Sequence, residues 1–141
     1  MLSKHPERCR HPHGHSRRIE FVLASPTLDE NDMVCDFMWI KLSVHDYLDR
    51  FDHALCINAA DPNLQAMQKE DHRVIVFEEG DPTTERMAKR IFDYLNDSIR
   101  TGEPMVTQGG IAYTIGKDVR VERVRISETP TSWAEYSGDD R

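Results

Sequence analysis

Long apolar runs are missing from this chain. No stretch of about 18 apolar residues occurs among its 141 positions, so no transmembrane helix is expected. The opening residues carry no apolar core of the kind a secretory signal needs, so secretion is not expected either. Cysteine is scarce and odd in number. Cys9, Cys35 and Cys56 show no scaffold spacing, which argues against a disulfide framework and points to a reducing, cytoplasmic compartment. Basic charge is in deficit, with 18 Lys and Arg against 25 Asp and Glu, a net −7 that speaks against a general nucleic-acid binder. Internal repeats and low-complexity segments are absent. At this length one domain is expected, burying about 68–70% of its unfolded surface without covalent staples.

What is present is concentrated at one end. Residues 1–18 hold Lys4, Arg8, Arg10, Arg17 and Arg18 against one acid, Glu7, together with four of the seven histidines. This end either meets an anionic ligand or is a solvated basic terminus. Within it runs Cys9-Arg10-His11-Pro12-His13-Gly14-His15. In extended backbone, residues i and i+2 face the same way, so His13 and His15 offer two imidazoles to one metal ion. Two imidazoles with an ionisable thiol nearby fit a catalytic site, which keeps a coordination position open, better than a structural one. His11 shares their parity but lies too far along, because four residues of strand span roughly 13 Å. A third ligand must come from elsewhere, and His5 qualifies if the N-terminal segment folds back. Cys9, flanked by Arg8, Arg10 and His11, reads as an accessible thiolate serving as base or nucleophile, or else as a small apolar residue. Cys35 and Cys56 lie beside apolar stretches and read as structural.

The pattern of elements is mixed. Residues 16–24 read as a strand. Phe37, Ile40, Val44, Leu48 and Phe51 form one helical stripe behind Asp36. Residues 61–70 read as a short helix or irregular chain, and 73–77 as a strand. Asp81-Pro82 reads as cap and first position of a helix carrying Thr84, Ala88, Ile91, Leu95 and Ile99, ending near Gly102. Ile111–Ile115 and the run from Val119 to Ile126 read as strands. The apolar alternation changes phase between Val121 and Val124, which predicts a β-bulge near Glu122-Arg123. The expected class is α+β, with helices on one face of a largely antiparallel sheet. The first strand lacks a hairpin partner before it, so the N-terminal residues read as the second half of a hairpin whose first half is absent.

Two further pairs bear chemistry. Asp52-His53 follows the first helical stripe, where a carboxylate can orient an imidazole that moves a proton, or where both simply end a helix. Glu128-Thr129 ends an apolar strand. Its carboxylate either accepts two hydrogen bonds from an amidine-like ring edge or is a polar strand end.

These residues together resemble the 6-pyruvoyltetrahydropterin synthase/6-carboxytetrahydropterin synthase family. The matching pieces are Cys9-x-x-x-His13-Gly14-His15, Met33-Val34-x-Asp36-Phe37-x-x-x-Lys41, Leu48-x-x-x-Asp52-His53-x-x-x-x-Asn58, Pro82-Thr83-x-Glu85 and Val124-x-Ile126-x-Glu128-Thr129. The thiol-to-histidine spacing is similar to that of the bacterial 6-carboxy enzymes. The resemblance implies a single domain over residues 1–141 with the tunnelling fold: a four-stranded antiparallel sheet, two helices on one face, and a hexamer made of two trimers. It implies Zn2+ on His13 and His15, Cys9 as base, Asp52 and His53 as the partner acid/base, and Glu128 as anchor of a pterin ring. Thr83 and Glu85 match a motif that implies either a substrate contact or a helix-terminal role. The implied reaction converts 7,8-dihydroneopterin triphosphate to 6-carboxytetrahydropterin, acetaldehyde and triphosphate, on the route to 7-deazaguanine nucleosides such as queuosine. A sibling that makes 6-pyruvoyltetrahydropterin and an inactive pterin-binding member are the alternatives. The family's first zinc histidine lies on a preceding strand that has no counterpart here.

Overall fold

The computed structural model describes residues 1–70 and 73–138. Its main sheet holds β1 (Arg18–Ala24), β6 (Arg120–Thr129) and β7 (Ser132–Ser137), all antiparallel in the order β1-β6-β7. Between β1 and β6 the chain places α1 (Phe37–Asp49), β2 (Leu55–Asn58), α2 (Leu64–Glu70), β3 (Val74–Phe77), α3 (Thr84–Thr101), β4 (Met105–Val106) and β5 (Ala112–Tyr113).

The phase change in β6 is a bulge. Val22 pairs with Arg123 but Leu23 pairs with Val121, so Glu122 is the extra residue. It lets Val121, Val124 and Ile126 all point inward, where each is at most 5% exposed. A second shift follows at Glu128, because Ser127 pairs with Trp133 and Thr129 with Ser132.

Helix α3 lies across β6 and β7. Its stripe of Ala88, Ile91, Leu95 and Ile99 is buried as expected, and Met87 and Phe92 widen it. It stops where Gly102 takes up φ 65°, a left-handed conformation glycine adopts without steric cost. Its cap is Thr83, not Asp81 as the Asp-Pro dipeptide suggests. The Thr83 hydroxyl accepts from Arg86 N–H at 3.3 Å, whereas Asp81 is held by other partners.

Helix α1 is capped by Asp36, which accepts from Met38 N–H at 2.7 Å, and it packs beside α3 and β4. The expected stripe holds at Ile40 and Val44 but not at Phe37, which is 79% exposed. Helical side chains lean toward the N-terminus, so a residue at the first position projects off the helix end. Trp39 fills the core instead, with its indole N–H donating to the Glu103 carbonyl at 3.1 Å.

Three strands escape the hydrophobic pattern, one of them the two-residue β4. Strand β2 is only four residues long and pairs in parallel with β3 through the α2 crossover, so this small sheet departs from the antiparallel expectation. Strand β7 is half exposed and poor in aliphatic residues. The run expected over Ile111–Ile115 shrinks to Ala112–Tyr113, paired with β4. The α+β tunnelling-fold class holds. Among the described residues, however, the main sheet has three strands rather than four, and β1 is paired on one side only.

Candidate active site

The N-terminal segment folds back on itself and onto the body. Leu2 N–H donates to the Cys9 carbonyl at 2.8 Å, and residues Arg8–Arg10 make one 3-10 turn. The Ser3 hydroxyl (2.5 Å) and the Lys4 N–H (2.8 Å) both donate to the Asp81 carboxylate. The Asn58 amide donates to Asp81 as well, at 2.8 Å. Burial by itself would raise the Asp81 pKa. The Ser3 and Asn58 side chains and the Lys4 and Ser3 backbone N–H groups overcome it and hold the carboxyl at about 2.

This arrangement opens a cleft of about 1320 Å³. Cys9, His13, His15, Asp52, His53, Thr83, Glu85 and Glu128 all line it. These eight residues therefore face one space, although they come from four separate stretches of the chain.

The two histidines precede β1 and lie outside any helix or strand. Their ring centroids are 4.8 Å apart and their planes stand at 84°. The His13 Nδ1 lies 2.7 Å from the His11 carbonyl, which can only accept, so Nδ1 donates there and Nε2 is the ring nitrogen left for another partner. A carbonyl behind one imidazole nitrogen is the usual support for metal ligation by the other. The pair could offer two imidazole donors to a zinc ion. Among the described residues, no group of three His, Cys, Asp or Glu side chains is placed to hold a metal. His5 does not supply the third: its Nδ1 accepts from Glu7 N–H at 3.1 Å, and it is not among the cleft-lining residues.

Asp52 and His53 lie in the turn after α1. Asp52 Oδ1 is 3.0 Å from His53 Nδ1, and both side chains are largely exposed at the rim. His53 has φ 51°, an uncommon backbone state for a residue with a Cβ. Such a state costs on the order of 1 kcal/mol and tends to persist where a side chain must be aimed.

Glu128 shares the inward parity of Val124 and Ile126 and so meets the start of α3. Its Oε1 accepts from the Thr84 hydroxyl at 2.6 Å and from Arg17 Nη2 at 2.6 Å, and it lies 4.0 Å from His15 Nε2. Burial would raise the Glu128 pKa. The Thr84 and Arg17 hydrogen bonds, with the charges of Arg17 and His15, outweigh that and lower it. Thr83 has its hydroxyl engaged as the helix cap, and Glu85 is an exposed acid in the first turn. Cys9 is half-buried, while burial raises the thiol pKa of Cys35 and of Cys56. Arg17, Thr84 and Asp81 were not signalled as partners by any spacing in the sequence.

The family model for 6-pyruvoyl tetrahydropterin synthase matches residues 1–139. A 6-carboxy-5,6,7,8-tetrahydropterin synthase of Aquifex aeolicus is 32% identical over 133 residues, covering 92% of this chain and 75% of that protein. The protein of the same name from Rickettsia felis is 24% identical over 133 residues, 93% of this chain and 86% of its own. The crystal structure of an uncharacterised Wolinella succinogenes protein superposes with TM-score 0.60 at 23% identity, over 93% of this chain and 81% of that one, a likeness of fold alone.

Proposed function

Because this chain belongs to the 6-pyruvoyl tetrahydropterin synthase family, we propose that it is a zinc-dependent lyase acting on 7,8-dihydroneopterin triphosphate. With water it yields 6-carboxy-5,6,7,8-tetrahydropterin, acetaldehyde and triphosphate, a step toward 7-deazaguanine nucleosides such as queuosine. The observation that carries this reading is the convergence of Cys9, His13, His15, Asp52, His53, Thr83, Glu85 and Glu128 on one cleft.

In this reading His13 and His15 hold zinc, with a third ligand still to be assigned. Zinc there supplies Lewis-acid polarisation of the substrate's side-chain hydroxyls and carbonyl. Cys9, as thiolate, removes a proton from the side chain. His53 moves a proton at the rim, oriented through its Nδ1 by Asp52. The Glu128 carboxylate accepts from the ring N–H and amino groups, the pairing that needs an ionised acceptor. The lowered Glu128 pKa supports that state. Thr83 and Glu85 border the same cleft, where Thr83 also starts the helix. The assembly in this reading is a hexamer in the cytoplasm, and its mass in solution tests that part.

Incubation with 7,8-dihydroneopterin triphosphate and zinc is expected to release acetaldehyde, and product mass separates the 6-carboxy from the 6-pyruvoyl outcome. Cys9→Ala is expected to lower the rate by about 10²–10⁴-fold with zinc content retained. Full activity in that variant removes the base role. The two-histidine count favours one other reading, an inactive pterin-binding member. Near-zero zinc per protomer in purified protein, with pterin binding intact, decides for it.

A further inference from the structure

Arg17 is the residue the cleft chemistry leaves unexplained. Its side chain is 21% exposed and lines the cleft. Nη2 donates to Glu128 Oε1 at 2.6 Å. Nη1 meets only the Met87 sulfur, at 3.0 Å, a weak acceptor. Nε is buried with no partner, the sole side-chain nitrogen or oxygen left so among the described residues. A guanidinium carries five donors in a fixed fork and cannot shed its proton, so an under-satisfied one beside a cleft calls for an acceptor that arrives from outside.

We propose that Arg17 is a specificity-determining residue that reads the 4-oxo group of a 2-amino-4-oxo pteridine while Glu128 reads the adjoining N–H and amino donors. The inference rests on the pterin reading above. Its logic is adjacency. Along that ring edge two donors are followed directly by one acceptor. On the protein, a carboxylate acceptor is followed directly by guanidinium donors, 2.6 Å away. The two rows are complementary without breaking the Arg17–Glu128 bond. A 2,4-diamino ring places N–H groups where the oxo stood and leaves N3 without its hydrogen, so donors would face donors at Arg17 and acceptor would face acceptor at Glu128, a mismatch that a site built on hydrogen bonds rejects strongly.

The test is a fluorescence titration of the full chain with two probes, neopterin and 2,4-diamino-6-hydroxymethylpteridine. The wild type is expected to bind neopterin at least about tenfold more tightly, the scale of one charge-assisted hydrogen bond. Arg17→Met, which keeps length and loses every donor, is expected to cut the preference about tenfold, mainly by weakening neopterin, and the preference that remains is that of Glu128 for the ring N–H. Arg17→Lys, with one point donor, is expected to restore part of the preference. A wild type that binds both probes equally overturns the inference, as does an Arg17→Met variant that weakens both alike. Glu128→Gln separates the two levels. If it weakens both probes while Arg17→Met leaves the preference intact, Arg17 alone is misassigned. If the wild type binds neither probe, the pterin reading fails and takes this inference with it.

Discussion

Two carboxylates flank the start of α3, and they are built to different ends. Asp81 has both oxygens engaged: Oδ1 accepts from Ser3 and Asn58, and Oδ2 from the Lys4 N–H. It is 7% exposed. Glu128 receives its two bonds, from Arg17 and Thr84, on Oε1 alone, and its side chain is 25% exposed at the cleft wall. Both have lowered pKa values, so the shift alone does not separate them. What separates them is saturation. A carboxylate surrounded on both oxygens is a fastener, whereas one supported from a single side is oriented toward a visitor.

The largest test of this contrast is Glu128→Gln. It keeps an acceptor for Arg17 and Thr84 but not two acceptor oxygens, so kcat/KM is expected to fall about a hundredfold while Tm moves little. Equal losses in activity and Tm would erase the distinction. Asp81→Ala is expected to do the reverse. It strands the buried Asn58 amide and frees the N-terminal segment, costing about 2–3 kcal/mol, or roughly 6–10 °C in Tm by differential scanning calorimetry.

Acid titration gives a smaller signal with a defined sign. The Asp81 folded pKa, about 2, lies below the value near 3.9 of an unfolded aspartate. Its contribution is therefore complete above about pH 5 and is lost as pH falls through about 4 toward 2, at most about 2.6 kcal/mol. Asp81→Asn should flatten that part of a denaturant-midpoint series against pH, and an unchanged slope would contradict the assignment. The smallest effect is expected from Ser3→Ala. It removes one of the fastener's bonds and loosens the segment whose Leu2 N–H holds the Cys9 carbonyl. Alkylation of Cys9, followed by peptide mass mapping, should quicken about two- to fivefold relative to buried Cys35, consistent with a net hydrogen-bond contribution of about 0.5–1 kcal/mol.

Much of this molecule is legible in its amino-acid sequence. The stripe of α3 reads directly because a helix that covers a sheet must bury one face, and the broken alternation at Val121 and Val124 is the mark of the Glu122 bulge. Strand β2 was not legible, since Leu55–Asn58 mixes Cys and Asn with two aliphatic residues where the equally short Val74–Phe77 is wholly apolar, and β7 was not because a half-exposed strand has little apolar signal. In the site, the residues with intrinsic chemistry were visible as types: thiol, imidazoles, carboxylates. Their supports were not. Arg17 meets Glu128 across 111 positions, Thr84 meets it across 44, and Ser3 meets Asp81 across 78. Pairs of that separation are products of the fold and leave no spacing to read. The cap of α3 shows the same thing locally, as Asp81 is the better cap by residue type but is claimed by the N-terminal segment, leaving Thr83 to serve.

Strand β1 has one further consequence. Along Arg18–Ala24 the ladder to β6 uses one border, and no other described strand occupies the opposite one. A row of unclaimed amides and carbonyls is adhesive, and here the Arg18–Glu20 ion pair at 3.0 Å puts charge of both signs on the strand, a guard against indiscriminate zipping. If a strand of another chain seats there, it lends its docking free energy to this one, and apparent stability then climbs with concentration while dilution behaves as a gentle denaturant.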